Sequence, residues 1–343
     1  MINIIKIKII LAICVSLIII ILGIAVGSVF IPPLDILKIM GNKIFGVSLN
    51  ENINKTSVAI LWNLRLPRAL LAFIVGGALS VSGAVMQSVL KNPLASSYTL
   101  GVSSGASLGA GLVILLGITL PFAQMMTLPV LGFIFGLATI FIAVSFSSRI
   151  DSRMENNTII LTGMVFSLFT NAIITLMSAL SKEHMQRLIF WQMGSFSMKD
   201  WSAVAILAPV TVAGVLFVLH YNRELDIMTF GEEQAQAIGV NLKRTKWILL
   251  VFAAVLTGSA ISFVGVIGFV DLVAPHIVRK IFGSSHRYII PMSAIIGGAF
   301  MVLCDLAART VLSPQELPVG AVTAIIGAPF FAYIYFSRKA KRG

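Results

Sequence analysis

The sequence predicts an all-α, polytopic membrane protein of about ten transmembrane helices arranged as an inverted internal repeat. Three observations predict it. Hydrophobic residues make up 58% of the 343 positions and charged residues only 11%. An ordinary soluble domain carries about 25% charged residues, so this chain lacks the polar surface to cover a water-exposed globule. Apolar runs follow one another with short polar gaps, and a hydrocarbon core of about 30 Å takes roughly 20 apolar residues of helix. Finally, Gly76, Ala78, Ser80 and Gly83 return 182 positions later as Gly258, Ala260, Ser262 and Gly265, and Leu90, Pro93, Gly101 and Ser103 return as Leu272, Pro275, Gly283 and Ser285.

Ten apolar segments lie near 8–30, 68–90, 98–119, 127–147, 158–180, 201–220, 246–268, 270–281, 290–312 and 318–337. The first exceeds the roughly 7–15 apolar residues of a signal peptide and reads as a retained signal-anchor span. Its Cys14 follows Ile13 rather than a small residue, which argues against lipid attachment. The second opens on Arg65-Leu66-Pro67-Arg68. The third and fourth carry Gly101, Gly105 and Gly109, and Gly132 and Gly136, at the four-residue spacing that lets helices approach closely in lipid. The eighth, with Asp271, Pro275 and His276, is short for a span and is expected as a partial helix with its ends buried in protein. On the ninth, Asp305 and Arg309 stand four apart and can pair on one face.

Five spans separate the two copies of the repeat, so they cross in opposite directions, as in many transporters. The halves are approximately 65–180 and 246–337, within one transmembrane domain of residues 1–343. Lys and Arg concentrate in alternate gaps (Lys91, Arg149, Lys243, Arg244, Arg279, Lys280) and in the end segments (Lys6, Lys8, Arg338, Lys339, Lys341, Arg342). This placement puts both termini in the cytoplasm. It also assigns the net charge of +12 to membrane topology rather than to nucleic acid.

Chemistry has no visible home. The chain contains no GxxxxGK[ST] phosphate loop, HExxH zinc motif or GxSxG nucleophile turn. Cys14 and Cys304 sit in apolar runs without metal-ligand spacing. No catalytic residue, metal site or cofactor is assigned to this chain. The polar stretch 221–246, with Glu224, Asp226, Glu232, Glu233 and Lys246, reads as one or two short helices broken at Gly239. Read alone, it serves equally as a solvated loop or as a surface for a soluble subunit. Arg65, Arg68, Asp305 and Arg309 read alone are either interfacial anchors or groups facing a partner or cavity.

These residues carry a resemblance. Arg65-Leu66-Pro67-Arg68, Ser82-Gly83-Ala84-Val85-Met86-Gln87, Asn92-Pro93-Leu94-Ala95 and Leu100-Gly101-Val102-Ser103-Ser104-Gly105-Ala106 begin an ordered series. It continues through Trp191 to Phe196, Ala274-Pro275-His276-Ile277-Val278-Arg279 and His286-Arg287 to Glu316-Leu317-Pro318-Val319-Gly320 and Gly327 to Phe331. Across essentially its whole length the chain resembles the permeases that import iron–siderophores, haem and cobalamin. The resemblance implies a subunit of ten spans, paired with a second copy or a similar paralogue in the cytoplasmic membrane of a bacterium. Two ATPase subunits would hold ATP and Mg, and an extracytoplasmic binding protein would deliver the ligand, an iron(III)–siderophore complex by prevalence. Arg65, Arg68 and Arg309 match the family's outer arginines, which grip carboxylates of the binding protein. Gly231, Glu233, Ala237 and Gly239 match the segment that couples to the ATPase.

The pathway would open alternately to either side at the dimer interface, walled by spans 5, 8 and 10. Asn171, Thr175 and Met177 are its candidate lining residues. The rival of another class, an ion-gradient-driven secondary transporter, needs buried carboxylates at midplane, for which only Asp271 and Asp305 qualify. An intramembrane enzyme would need paired catalytic groups that the sequence does not offer.

Overall fold

The structure, a computed structural model, describes residues 2–27, 29–48, 53–121, 124–151, 154–181 and 183–340. Lys341 and Arg342 of the basic tail lie outside them. The described chain is helical. In order, α1 is Ile2–Ala25, α2 Pro33–Phe45, α3 Lys55–Ile60, α4 Leu66–Val89, α5 Val102–Leu116, α6 Thr127–Ile150, α7 Asn156–Leu180 and α8 Met185–Gln192. There follow α9 Trp201–His220, α10 Asn222–Phe230, α11 Glu232–Ala237, α12 Leu242–Val264, α13 Val270–Phe282, α14 His286–Thr310 and α15 Val319–Ala340.

Seven helical stretches are long and apolar enough to cross a membrane, and two shorter apolar ones, Val102–Leu116 and Val319–Tyr333, accompany them. With the 13-residue α13, these account for the ten expected segments. One start differs from expectation. Helix runs without a break from Lys55 to Val89, so Arg65 and Arg68 lie inside it rather than at its mouth. Pro67 does not end it, because a π turn over Leu61–Arg65 widens the backbone just ahead, with Leu66 N–H donating to Leu61 O.

Small residues set the packing. A Cβ added at Gly76 would lie 2.3 Å from Gly297 O, and one at Gly83 would overlap the backbone of Asp271. The helix α4 therefore touches α14 at the first glycine and α13 at the second, backbone to backbone. The Gly105 and Gly109 stripe does the same against α6, with Phe135 O at 2.5 Å and Leu131 O at 2.4 Å from the added atoms.

Contacts give the directions. Along α14, Ala294 and Gly297 meet Gly77 and Gly76, while Asp305 meets Arg68, so α4 and α14 are antiparallel. The helix α6 opposes α5, since Gly101 reaches Thr139 and Gly109 reaches Leu131. It also opposes α12, since Gly132 meets Ser262 and Phe141 stacks edge-on against Trp247 at 5.4 Å. Following the chain, α4 and α12 run in opposite directions, as an inverted repeat requires. Local structure is not repeated throughout. Residues 90–101 form an irregular link, whereas their counterparts in 272–283 form most of α13.

The bundle thus has two polar ends. One collects Arg65, Arg68, Arg309 and Glu316, together with the starts of α9 and α15. The other collects the start of α1, where Lys8 Nζ donates to Ile281 O at 2.8 Å, with α10, α11 and His286.

Candidate functional site

At the first end three arginines and two carboxylates share one cluster. Arg68 donates through Nε to both oxygens of Asp305, at 3.0 and 3.1 Å, and through Nη2 to Oδ1 at 2.9 Å. It also takes Glu316 in bidentate fashion, at 2.8 and 3.1 Å. Arg309 lies one helical turn beyond Asp305, with Nε 3.6 Å from Oδ2. Its Nη2 donates to Gly23 O. Arg65 is 6% exposed and donates to the carbonyls of Ile24, Ala25 and Val29, tying α4 to the end of α1.

The sequence brought these three arginines together, and so does the structure, but in different settings. Arg65 is buried and committed to backbone carbonyls. Arg68 and Arg309 form a shallow layer, their side chains 13% and 10% exposed, above a nearly enclosed Asp305. Glu316 is the outermost member, with 39% of its side chain exposed. The Arg68 guanidinium bonded to it holds its carboxyl below the usual range. Three cations against two anions give the cluster as a whole a net positive charge, with Arg65 beneath the Arg68, Arg309, Asp305 and Glu316 groups.

At the other end the 221–246 stretch is ordered helix rather than loop. Asn222–Phe230 and Glu232–Ala237 are broken at Gly231, whose φ of 144° is open to glycine and strained for any other residue. The expected break at Gly239 is also present, with φ 97°, but it separates α11 from α12. Glu233, Ala237 and Gly239 are exposed, and Gly231 is half-buried. Phe230 and Ile238, at 79% and 66% exposure, flank them. An exposed Phe and Ile around a short charged helix form a surface suited to a partner.

This helix is anchored from beneath by a residue whose role the sequence did not reveal. Lys246 is fully buried, and its Nζ donates to Glu232 Oε1 at 2.8 Å, Met154 O at 2.9 Å and Asn156 Oδ1 at 2.9 Å. It joins α11 to α12 and to the start of α7. The partners are 14 to 92 positions away in sequence, so no local spacing announces them.

The candidate pathway residues separate. Asn171 and Thr175 share the exposed face of α7 with Leu168 and Leu176, and Thr175 Oγ1 donates to Asn171 O at 2.9 Å. Met177 points elsewhere. Two further residues rotate it about 200° around the helix, and its methyl packs against Gly111 beside Leu188. Among the described residues no group of three or more His, Cys, Asp or Glu could hold a metal ion.

Comparison with known proteins gives the family. The model of the FecCD transport family matches residues 14–337. The uncharacterized ABC transporter permease YvrB of Bacillus subtilis is 43% identical over 92% of this chain and 89% of its own. The cobalamin import permease BtuC of Halobacterium salinarum is 36% identical over 87% and 79%. A solved ABC transporter of metal-chelate type, in an inward-facing conformation, superposes with a TM-score of 0.82 at 26% identity, covering 96% of this chain and 99% of that one. The chain belongs to the FecCD transport family and is a multi-pass membrane permease of an ABC importer.

Proposed function

We propose that this permease carries an iron(III)–siderophore complex across the cytoplasmic membrane, as one of two permease subunits above two ATPases. The carrying observation is the polarity of the bundle: a cationic arginine–carboxylate layer at one end and a rigid, partly apolar helix pair at the other. The first suits carboxylates of an extracytoplasmic binding protein, since a guanidinium can take them in bidentate fashion. Arg68 and Arg309 are the members near the surface, and Glu316 occupies the position an incoming carboxylate would take. Arg65 then acts from beneath, holding α1 against α4.

The second end suits a groove on an ATPase, with Glu233, Ala237 and Gly239 on the docking face and Gly231 setting the angle between α10 and α11. The start of α1 and the end of α15 lie at this end, so on this reading both termini are cytoplasmic. Asn171 and Thr175 would face the pathway or the second subunit. The likeness to a transporter of metal-chelate type supports a chelated metal ion as the ligand, with iron the choice by prevalence. Similarity to a cobalamin permease and to a hemin permease keeps cobalamin and haem as the alternatives within the family.

The test is ATP hydrolysis by the permease–ATPase complex in lipid, with its binding protein loaded in turn with ferric siderophores, haem and cobalamin. Stimulation by a ferric siderophore, lost with Arg68→Glu and Arg309→Glu, is the expected result. Stimulation by haem or cobalamin alone would overturn the iron assignment.

A further inference from the structure

Beside α13 runs a line of hydrogen-bonded polar groups, entered at the partly exposed Asp226 and half-buried Arg279 and otherwise enclosed at Ser88, Gln87, Asp271 and His286. Asp226, on α10, accepts from His286 N–H at 2.8 Å and from Ser285 Oγ at 3.2 Å, and its Oδ1 lies 2.6 Å from His286 Nδ1. The other ring nitrogen, Nε2, is 2.6 Å from Ser88 Oγ on α4. Arg279, on α13, donates to Ser88 Oγ and to Ala84 O, both at 3.3 Å, and to Gln87 Oε1. Gln87 Nε2 then donates to Asp271 O at 3.3 Å, and the Asp271 carboxylate accepts from Ser96 Oγ in the 90–101 link.

The line leaves α10 and ends at the first turn of α13, next to the bend at 265–269. There Gly265 and Phe269 hold φ of 80° and 69°, and Phe269 packs against Gly327 of α15. A 13-residue helix spans about 20 Å at 1.5 Å per residue. The bonded groups therefore reach from the coupling end to the bend beside α15.

We propose that Asp226, His286, Ser88, Arg279 and Gln87 are positioning residues that transmit displacement of α10 to α13 and the bend at 265–269. This rests on the reading of α10–α11 as the ATPase-coupling segment. The physical reason is directional. Apolar surfaces slide past one another with little change in contact, whereas a buried hydrogen-bonded chain resists, because a shift that breaks one link orphans groups water cannot reach. A push on α10 is borne first by Asp226 and His286. The buried imidazole passes it to Ser88 on α4, and Arg279 on the same hydroxyl carries it to α13.

Gly268 offers a reporter in the bend, since a Cβ there meets nothing within 4 Å. The experiment uses the whole complex with its ATPase subunits in nanodiscs, in a Cys14→Ser, Cys304→Ala background carrying Gly268→Cys. The alkylation rate of the introduced thiol is compared between the nucleotide-free and ADP–vanadate-trapped states.

The rate is expected to change several-fold on trapping. The change should vanish with His286→Leu while the complex stays assembled and ATP hydrolysis continues. His286→Gln, which keeps a donor and an acceptor, should restore it. Ser88→Ala cuts the line with a smaller change, should His286→Leu fail to fold. A purely structural role would lower the unfolding temperature yet leave the trapping response intact.

An undiminished response in either cut variant would overturn the proposal. So would no response before any cut, or no rescue by His286→Gln. Failure of the permease to copurify with any ATPase is a separate readout, and it would overturn the coupling reading beneath the proposal.

Discussion

Replacing Asp305 by Asn removes one negative charge from the arginine layer without changing its shape. The carboxylate is 3% exposed, accepts three bonds from Arg68 at 2.9 to 3.1 Å, and has Arg309 Nε at 3.6 Å. After the change Arg68 retains Glu316, but Arg309 faces no carboxylate and two cations lie close together. Removing one partner of a buried pair costs about 3–5 kcal/mol, and the oxygen that Asn keeps places the expected loss near 3 kcal/mol. That is a large share of the roughly 5–15 kcal/mol by which folded proteins are stable. Glu316→Gln removes the same charge from the same arginine at a position 39% exposed. Solvent screening there limits the loss to about 1 kcal/mol or less. The assay is thermal unfolding of the purified permease in detergent, comparing the two variants. Asp305→Asn should lower the midpoint several times more than Glu316→Gln. Equal, small shifts would refute the reasoning, since they would mean that water reaches Asp305 as freely as Glu316.

Three further outcomes are expected. Lys246→Met should release α11 by orphaning Met154 O and Glu232, at about 2–4 kcal/mol, read as faster proteolysis between Phe230 and Leu242. Gly105→Val should fail to yield folded protein, because its Cβ alone would meet Thr139 Oγ1 and Phe135 O at 2.2 and 2.5 Å, read as loss of the monodisperse peak in detergent. Arg68 lowers the Glu316 carboxyl below its unfolded value, so its share of stability is full above about pH 4.3 and is lost as pH falls through the lowered value. Unfolding midpoints of Glu316→Gln and the native protein should therefore converge on acidification, and a constant difference would contradict this.

The membrane class, the ten segments and the partial eighth helix were legible because they depend on runs of residue type. So were the glycine stripes, where four-residue spacing places small residues on one helix face. The start of the second segment was misplaced because helix continues upstream of Pro67 through the wider turn over Leu61–Arg65. The arginine layer was half legible. Asp305 and Arg309 are neighbours by helical spacing, but Arg68 and Glu316, 248 positions apart, meet only when α4 and α14 pack. Lys246 and His286 were unreadable as anchors for the same reason, since each gains its meaning from partners on other elements. Met177 lies near Asn171 and Thr175 in sequence, and only the helical phase separates it from them.

The central claim is that ATP hydrolysis on a partner chain, and no ion gradient, drives import through this permease. Its most direct test is uptake of a labelled ferric siderophore into proteoliposomes holding the permease, its ATPase and the loaded binding protein. The predicted result is accumulation that needs ATP on the ATPase side and is unchanged when proton and sodium gradients are collapsed. Accumulation by the permease without an ATPase, rising and falling with an imposed ion gradient, would contradict it.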